Sequence, residues 1–168
     1  MASESARATS AAEQRYRIDA PNSQPRTVMV IALDAAAERV VTRIARRPWR
    51  CATFFTSLSD DGAPRGAWSM QAWLGDVAGR AMDLVGEIAS ADLVVMVAAA
   101  GGSPPAASVI GEACVLNGVM TTALIVDARG HTDAALARTL AALRPYAAML
   151  VVADGEDYIE AMLEALRA

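Results

Sequence analysis

Three acidic residues closely follow apolar runs: Asp34 after Thr27–Leu33, Asp127 after Thr121–Val126 and Asp154 after Ala147–Val152. If those runs are parallel strands, their ends line the crevice where open α/β sheets bind ligands. Carboxylates gathered there can hold Mg²⁺ or hydrogen-bond a sugar hydroxyl. Each can equally cap the helix that follows its strand. The one histidine, His131, closes the loop Asp127-Ala128-Arg129-Gly130-His131. Asp127 and His131 form the candidate catalytic pair, an imidazole base and a group to orient it. The competing reading of His131 is a surface or capping residue. No Gly-x-Ser-x-Gly elbow accompanies it.

A second constellation is Gly101-Gly102-Ser103, which follows the apolar run Leu93–Ala98 and precedes Pro104-Pro105. Small residues let a ligand approach the backbone, and N–H groups at a helix start attract anions. Asp34, Gly101, Gly102 and Ser103 are therefore the candidate set for a small anionic ligand. The competing reading is a tight turn with Ser103 as N-cap and Pro104 at the first helical position. Cys51 and Cys114 have no further Cys or His at metal spacing, so they read as small buried hydrophobes and no metal site is expected.

The elements that must position these residues alternate. Strands are expected over 27–33, 51–56, 92–98, 121–126 and 147–152. Helices are expected from Asp34 to Arg47, over 76–89, from Pro104 to Leu116, over 132–143 and over 155–166. Asn117-Gly118 carries a left-handed cap signal. Residues 57–66 read as a polar turn region, and 67–74 fit an edge strand or a helical turn. In the last helix Tyr158, Ile159, Met162, Leu163 and Leu166 are expected to face inward. This alternation implies an α/β fold: a three-layer, doubly wound, Rossmann-like and mostly parallel sheet with helices on both faces. Residues 1–26 read as a disordered tail and 27–168 as a single α/β domain.

Composition excludes several functions. The chain has 168 residues, 54% hydrophobic and 20% charged, with a net charge of -4. Nothing in it resembles an electrostatic footprint for nucleic acid. No apolar run approaches the roughly 20 residues of a membrane helix, and no signal-peptide core is seen, so no membrane partner and a cytoplasmic location are expected. The arginines at 43, 46, 47 and 50 read as a solvated helix end. Trp49, Trp68 and Trp73, beside Phe54, Phe55 and Met70, are either a core layer or an interface, and a homodimer through the Trp49–Trp73 region is expected.

Residues 91–154 resemble the second half of the nucleotide-binding domain of the tubulin/FtsZ superfamily. The likeness lies in order and spacing: Ser90-Ala91-Asp92, an apolar strand into a glycine-containing loop, and a helix to Leu116-Asn117-Gly118. Thr122–Val126, Ala134–Leu143 and Arg144-Pro145-Tyr146-Ala147 before Met149–Val152 complete it. Val28–Ile44 is similar to the family's opening unit. The resemblance implies a nucleotide-binding fold. The family's phosphate loop Gly-Gly-Gly-Thr-Gly-Thr-Gly is here Ala99-Ala100-Gly101-Gly102-Ser103-Pro104-Pro105, in which two prolines remove two N–H donors. Ala32–Ala37 replaces its glycine-rich first turn, Asp34 would repel a phosphate there, and its second domain is not expected.

The function these readings point to is a degenerate nucleotide-binding-fold domain, acting as a non-hydrolysing ligand-binding or protein-interaction module and working as a homo-oligomer. The alternative is a transferase or hydrolase with Asp34, Ser103, Asp127 and His131 at the strand ends. A 2-oxo acid hydroxymethyltransferase would also place acidic groups there, but on a (β/α)₈ barrel of about 250 residues.

Overall fold

Strand β1 (Val28–Ala32) is a five-residue run without a polar side chain, and every residue of it is buried. Such a run suits a strand covered on both faces. The computed structural model describes residues 24–57, 73–76, 81–102, 104–153 and 156–168, and places β1 inside a seven-stranded sheet. The other strands are β2 (Ala52–Ser57), β3 (Trp73–Asp76), β4 (Ala81–Asp83), β5 (Leu93–Ala99), β6 (Met120–Val126) and β7 (Met149–Val152), in the order β4-β3-β2-β1-β5-β6-β7. β2, β1, β5, β6 and β7 run parallel, and β3 and β4 extend the sheet antiparallel.

The helices are α1 (Ala35–Ile44), α2 (Leu84–Ala89), α3 (Ala106–Asn117), α4 (Asp133–Leu143) and α5 (Asp157–Ala165). Alternate side chains of a strand point to opposite faces, so β5 supplies two cores. Val94, Met96 and Ala98 join α2, α3 and α4 on one face. Val95 and Val97 join Ala37, Val41 and Ile44 of α1 and Ile159 and Leu163 of α5 on the other. The result is the expected three-layer, doubly wound α/β sheet.

Several boundaries differ from the sequence reading. The helix expected over 76–89 is only Leu84–Ala89, because Asp76 ends β3 and Ala81–Asp83 pair with it as β4. Asp83 makes the break: its carboxylate accepts from Gly86 N at 3.1 Å, capping a helix that starts at Leu84. Residues 73–74, left between two readings, are strand. α3 begins at Ala106 rather than Pro104, with Pro105 as a cap residue lacking a side-chain hydrogen bond. Tyr158 is 43% exposed, not inward-facing, because Ile159 and Leu163 form the buried stripe of α5. The left-handed cap does stand at Gly118, with φ 67°. Arg26 and Thr27, placed in or next to the expected tail, are tied by Arg26 N to Leu166 O (3.2 Å) and Thr27 N to Asp92 Oδ2 (2.8 Å). The expected turn after Ser57, Trp68, Met70, Ser103 and Asp154 fall outside the described residues.

Two arginines of the expected solvated cluster reach another helix. Arg43 Nε meets Glu156 at 2.8 Å, and Arg47 meets Glu160 at 2.6 Å and Glu164 at 2.7 Å, laddering α1 to α5. The hydrogen bond that Arg47 donates to Glu164 leads the causes that hold the Arg47 guanidinium above its usual pKa. These pairs are exposed, so they orient the helices more than they stabilise them.

Candidate functional site

Numbering the parallel strands alone, their order is 2-1-3-4-5, one of the two common doubly wound arrangements. The chain moves from β1 outward to β2, then returns to the other side of β1 as β5. The loops after β1 and β5 therefore leave in opposite senses and open a crevice between them.

Asp34 holds the two sides of that crevice together. Its backbone is extended (φ -150°) and its Oδ1 accepts from Ala36 N (3.0 Å) and Ala37 N (2.8 Å), which caps α1 as expected. Its Oδ2 accepts from Ala99 N at 2.8 Å, across the crevice at the end of β5. Three backbone donors thus converge on one half-buried carboxylate, and charge-assisted bonds of this kind are short and strong.

Gly101 and Gly102 form the opposite wall. Gly101 has φ 84°, a region where a side chain is strained. A Cβ there would also stand 3.3 Å from His131 Nδ1. A Cβ on Gly102 would stand 3.3 Å from both Ala99 O and Asp34 Oδ2. The structure therefore gathers Asp34, Gly101, Gly102 and His131 around one crevice. Ser103 lies outside the described residues. Pro104 and Pro105 offer no N–H, and the Ala107 N–H donates back to Pro104 O at 3.2 Å.

Asp127 and His131 flank a short 3-10 turn, Ala128–Gly130, in the exposed loop after β6. Asp127 is left-handed (φ 58°, ψ 35°), a conformation Asp tolerates better than most residues. Among the described residues neither side chain makes a hydrogen bond, so the pair shares a loop without orienting each other. No group of three or more His, Cys, Asp or Glu residues that could hold a metal ion occurs among the described residues.

Thr139 of α4 is a part of the site that the sequence reading missed. It is fully buried. Its hydroxyl accepts from Gly101 N (3.0 Å) and donates to Gly102 O (3.0 Å), pinning both glycines. A signal was present: Ala135, Thr139 and Leu143 repeat every four residues, and one polar residue in a buried stripe needs a partner.

The other expected features are placed elsewhere. Trp49 is engaged within the chain, donating Nε1–H to Ile44 O (2.9 Å), packing on Phe54 at 6.5 Å and lying under Arg47 at 5.2 Å. A cavity of about 430 Å³ lies at the amino ends of the strands, lined by Pro25, Arg47, Trp49, Arg50, Glu164 and Arg167. It is far from the switch-point crevice, and Arg47 spends its charge on Glu160 and Glu164. No described helix is long and apolar enough to cross a membrane. No protein-family model matches the chain, and comparison with curated proteins finds no significant match.

Proposed function

We propose that this domain is a non-hydrolysing binding module whose site is the crevice between the carboxyl ends of β1 and β5. One observation carries the reading: two glycines with no side chain, one at positive φ, are locked by Thr139 directly opposite the Asp34 clamp. That arrangement keeps a short backbone surface open and rigid at the topological switch point, where doubly wound sheets take their ligands. The ligand class is a small anion-bearing molecule that seats on the side-chain-free glycine surface, since the Gly101 and Gly102 N–H groups are already donated to Thr139 Oγ1 and Ala99 O. Asp34 acts as a structural clamp, since its oxygens already accept three N–H groups.

The fold is in this reading a degenerate relative of the tubulin/FtsZ nucleotide-binding domain. Pro104 and Pro105 replace the donors a phosphate chain needs, which supports binding without hydrolysis. The enzyme alternative needs His131 held by Asp127, and the absence of a hydrogen bond on either side chain among the described residues favours the binding reading.

The test is isothermal titration of the full chain with GDP, inorganic phosphate and 2-oxo acids, repeated on Gly101→Ala. The expected result is heat with at least one of these anions, lost in the variant because its Cβ meets φ 84° and His131. No heat with any of them, or equal binding by Gly101→Ala, refutes the site. Turnover of a 2-oxo acid that disappears in His131→Ala would instead select the enzyme alternative.

A further inference from the structure

β7 closes the sheet on one side and, among the described residues, pairs only with β6. Its outer edge therefore presents backbone N–H and C=O groups that fit another extended strand. Proteins usually guard such an edge with a charge, a proline or a bulge. Here the stretch from Ala147 to Ala153, Ala-Ala-Met-Leu-Val-Val-Ala, contains neither a charged residue nor a proline. The apolar character continues on either side of the edge. Met149 is 49% exposed, Val152 is 42% exposed, and Met120, at the start of neighbouring β6, is 61% exposed. Val115 and Leu116, at the end of α3 just before β6, are also exposed.

The register shows how these side chains sit. Met149 pairs with Thr122, so Met149 and Met120 (two residues before Thr122) point to the same face of the sheet as α1 and α5. Among the described residues those two helices cover that face, in a cluster that takes in Leu124 and Val126 of β6 and Val151 of β7 but neither Met120 nor Met149. The sheet corner at Met120 and Met149 is left open.

We propose that β7 is a dimerisation edge, and that its occupant is β7 of a second copy of this chain, paired antiparallel about a twofold axis. A twofold places one surface against itself. Facing residues in such a pair come from the same face, so Met149 meets Val151 or Ala153 and Leu150 meets itself or Val152. Every register over this stretch sets apolar against apolar, and none brings like charges together. The exposed side chains along the paired edge are Met149 on one face and Val152 on the other, a seam smaller than a standard specific interface. The dimer is accordingly weak and concentration-dependent, and it leaves the β1–β5 crevice open.

Two measurements test this. Sedimentation of the full chain from about 1 to about 200 µM, a range that brackets micromolar affinity, should show mass rising toward twice the 17.5 kDa of one chain. Met149→Lys and Val152→Lys, each at a half-exposed position where the ammonium stays solvated in a monomer, should stay at the mass of one chain and keep the wild-type melting temperature. In the unmodified chain, amide exchange at 149–152 should slow as concentration rises. That readout decides the matter even if the lysine variants fail to fold. A monomer at every concentration, a dimer that survives both lysines, or exchange at 149–152 that ignores concentration overturns the proposal. The first of these outcomes would leave the edge to a strand from another protein.

Discussion

Replacing Thr139 by Val is the sharpest probe of the site, because the change keeps shape and removes one buried hydroxyl. That hydroxyl serves two bonds at 3.0 Å, accepting from Gly101 N and donating to Gly102 O. Each such bond contributes about 0.5–1.5 kcal/mol net, and a donor or acceptor left without a partner costs about 1–3 kcal/mol. The glycines are partly exposed, so water recovers some of this, and the new methyl returns about 0.8 kcal/mol of burial. The expected loss is about 1–2 kcal/mol. For a domain of this size that lowers the melting temperature by roughly 3–6 °C. Urea unfolding followed by circular dichroism should show a lower midpoint at unchanged slope. Thr139→Ser keeps both hydrogen bonds and loses only a methyl, so it should lose about 0.8 kcal/mol yet keep ligand heat in the titration. Thr139→Val should lose that heat. A Val variant as stable as wild type, or one that binds as well as the Ser variant, refutes the claim that Thr139 shapes the site.

Asp34→Asn should cost about 2 kcal/mol, since an amide nitrogen turned toward Ala99 N–H replaces a charge-assisted bond; chemical denaturation measures it, and a change below about 0.5 kcal/mol would remove the clamp from the account. Gly111→Ala should destabilise by about 1–3 kcal/mol although alanine favours helices, because the new Cβ would stand 2.6 Å from Tyr146 Cβ; a higher melting temperature would contradict that packing. Cys114 is fully buried, and burial pushes its thiol up to about 12. Its folded pKa lies above its unfolded one, so its contribution is intact below about pH 8.5 and declines by about 1.4 kcal/mol per pH unit as pH climbs toward 12. Urea midpoints of Cys114→Ala against wild type across this range should converge as pH rises, and a gap independent of pH would count against the burial argument.

The sequence alone determined the layered α/β plan, and it did so through local physics. Runs such as Val28–Ala32 and Leu93–Ala99 have no polar side chain to face water, so they must be covered on both sides. Asp34, Thr132 and Gly118 mark helix ends because one residue can satisfy or terminate the adjoining turn without help from afar. The helix misread over 76–89 shows the limit of that logic: Met82 fits a helical stripe by spacing, yet pairing with β3 makes it strand. Tertiary structure decided everything that joins distant residues. Asp34 reaches Ala99 across 65 positions, and Thr139 reaches Gly101 across 38. His131 stands beside Gly101, and Tyr146 fills the space over Gly111. Apart from the polar Thr139 in its buried stripe, these partners have no local signature: the Asp34 contact needs β5 to return beside β1, the others need the elements after β5 to pack on its loop and helix, and periodicity within one segment carries no information about either. The exposed edge of β7 belongs to the same class: its apolar residues read as a strand in the sequence, and only their place at the end of the sheet leaves Met149 and Val152 toward solvent.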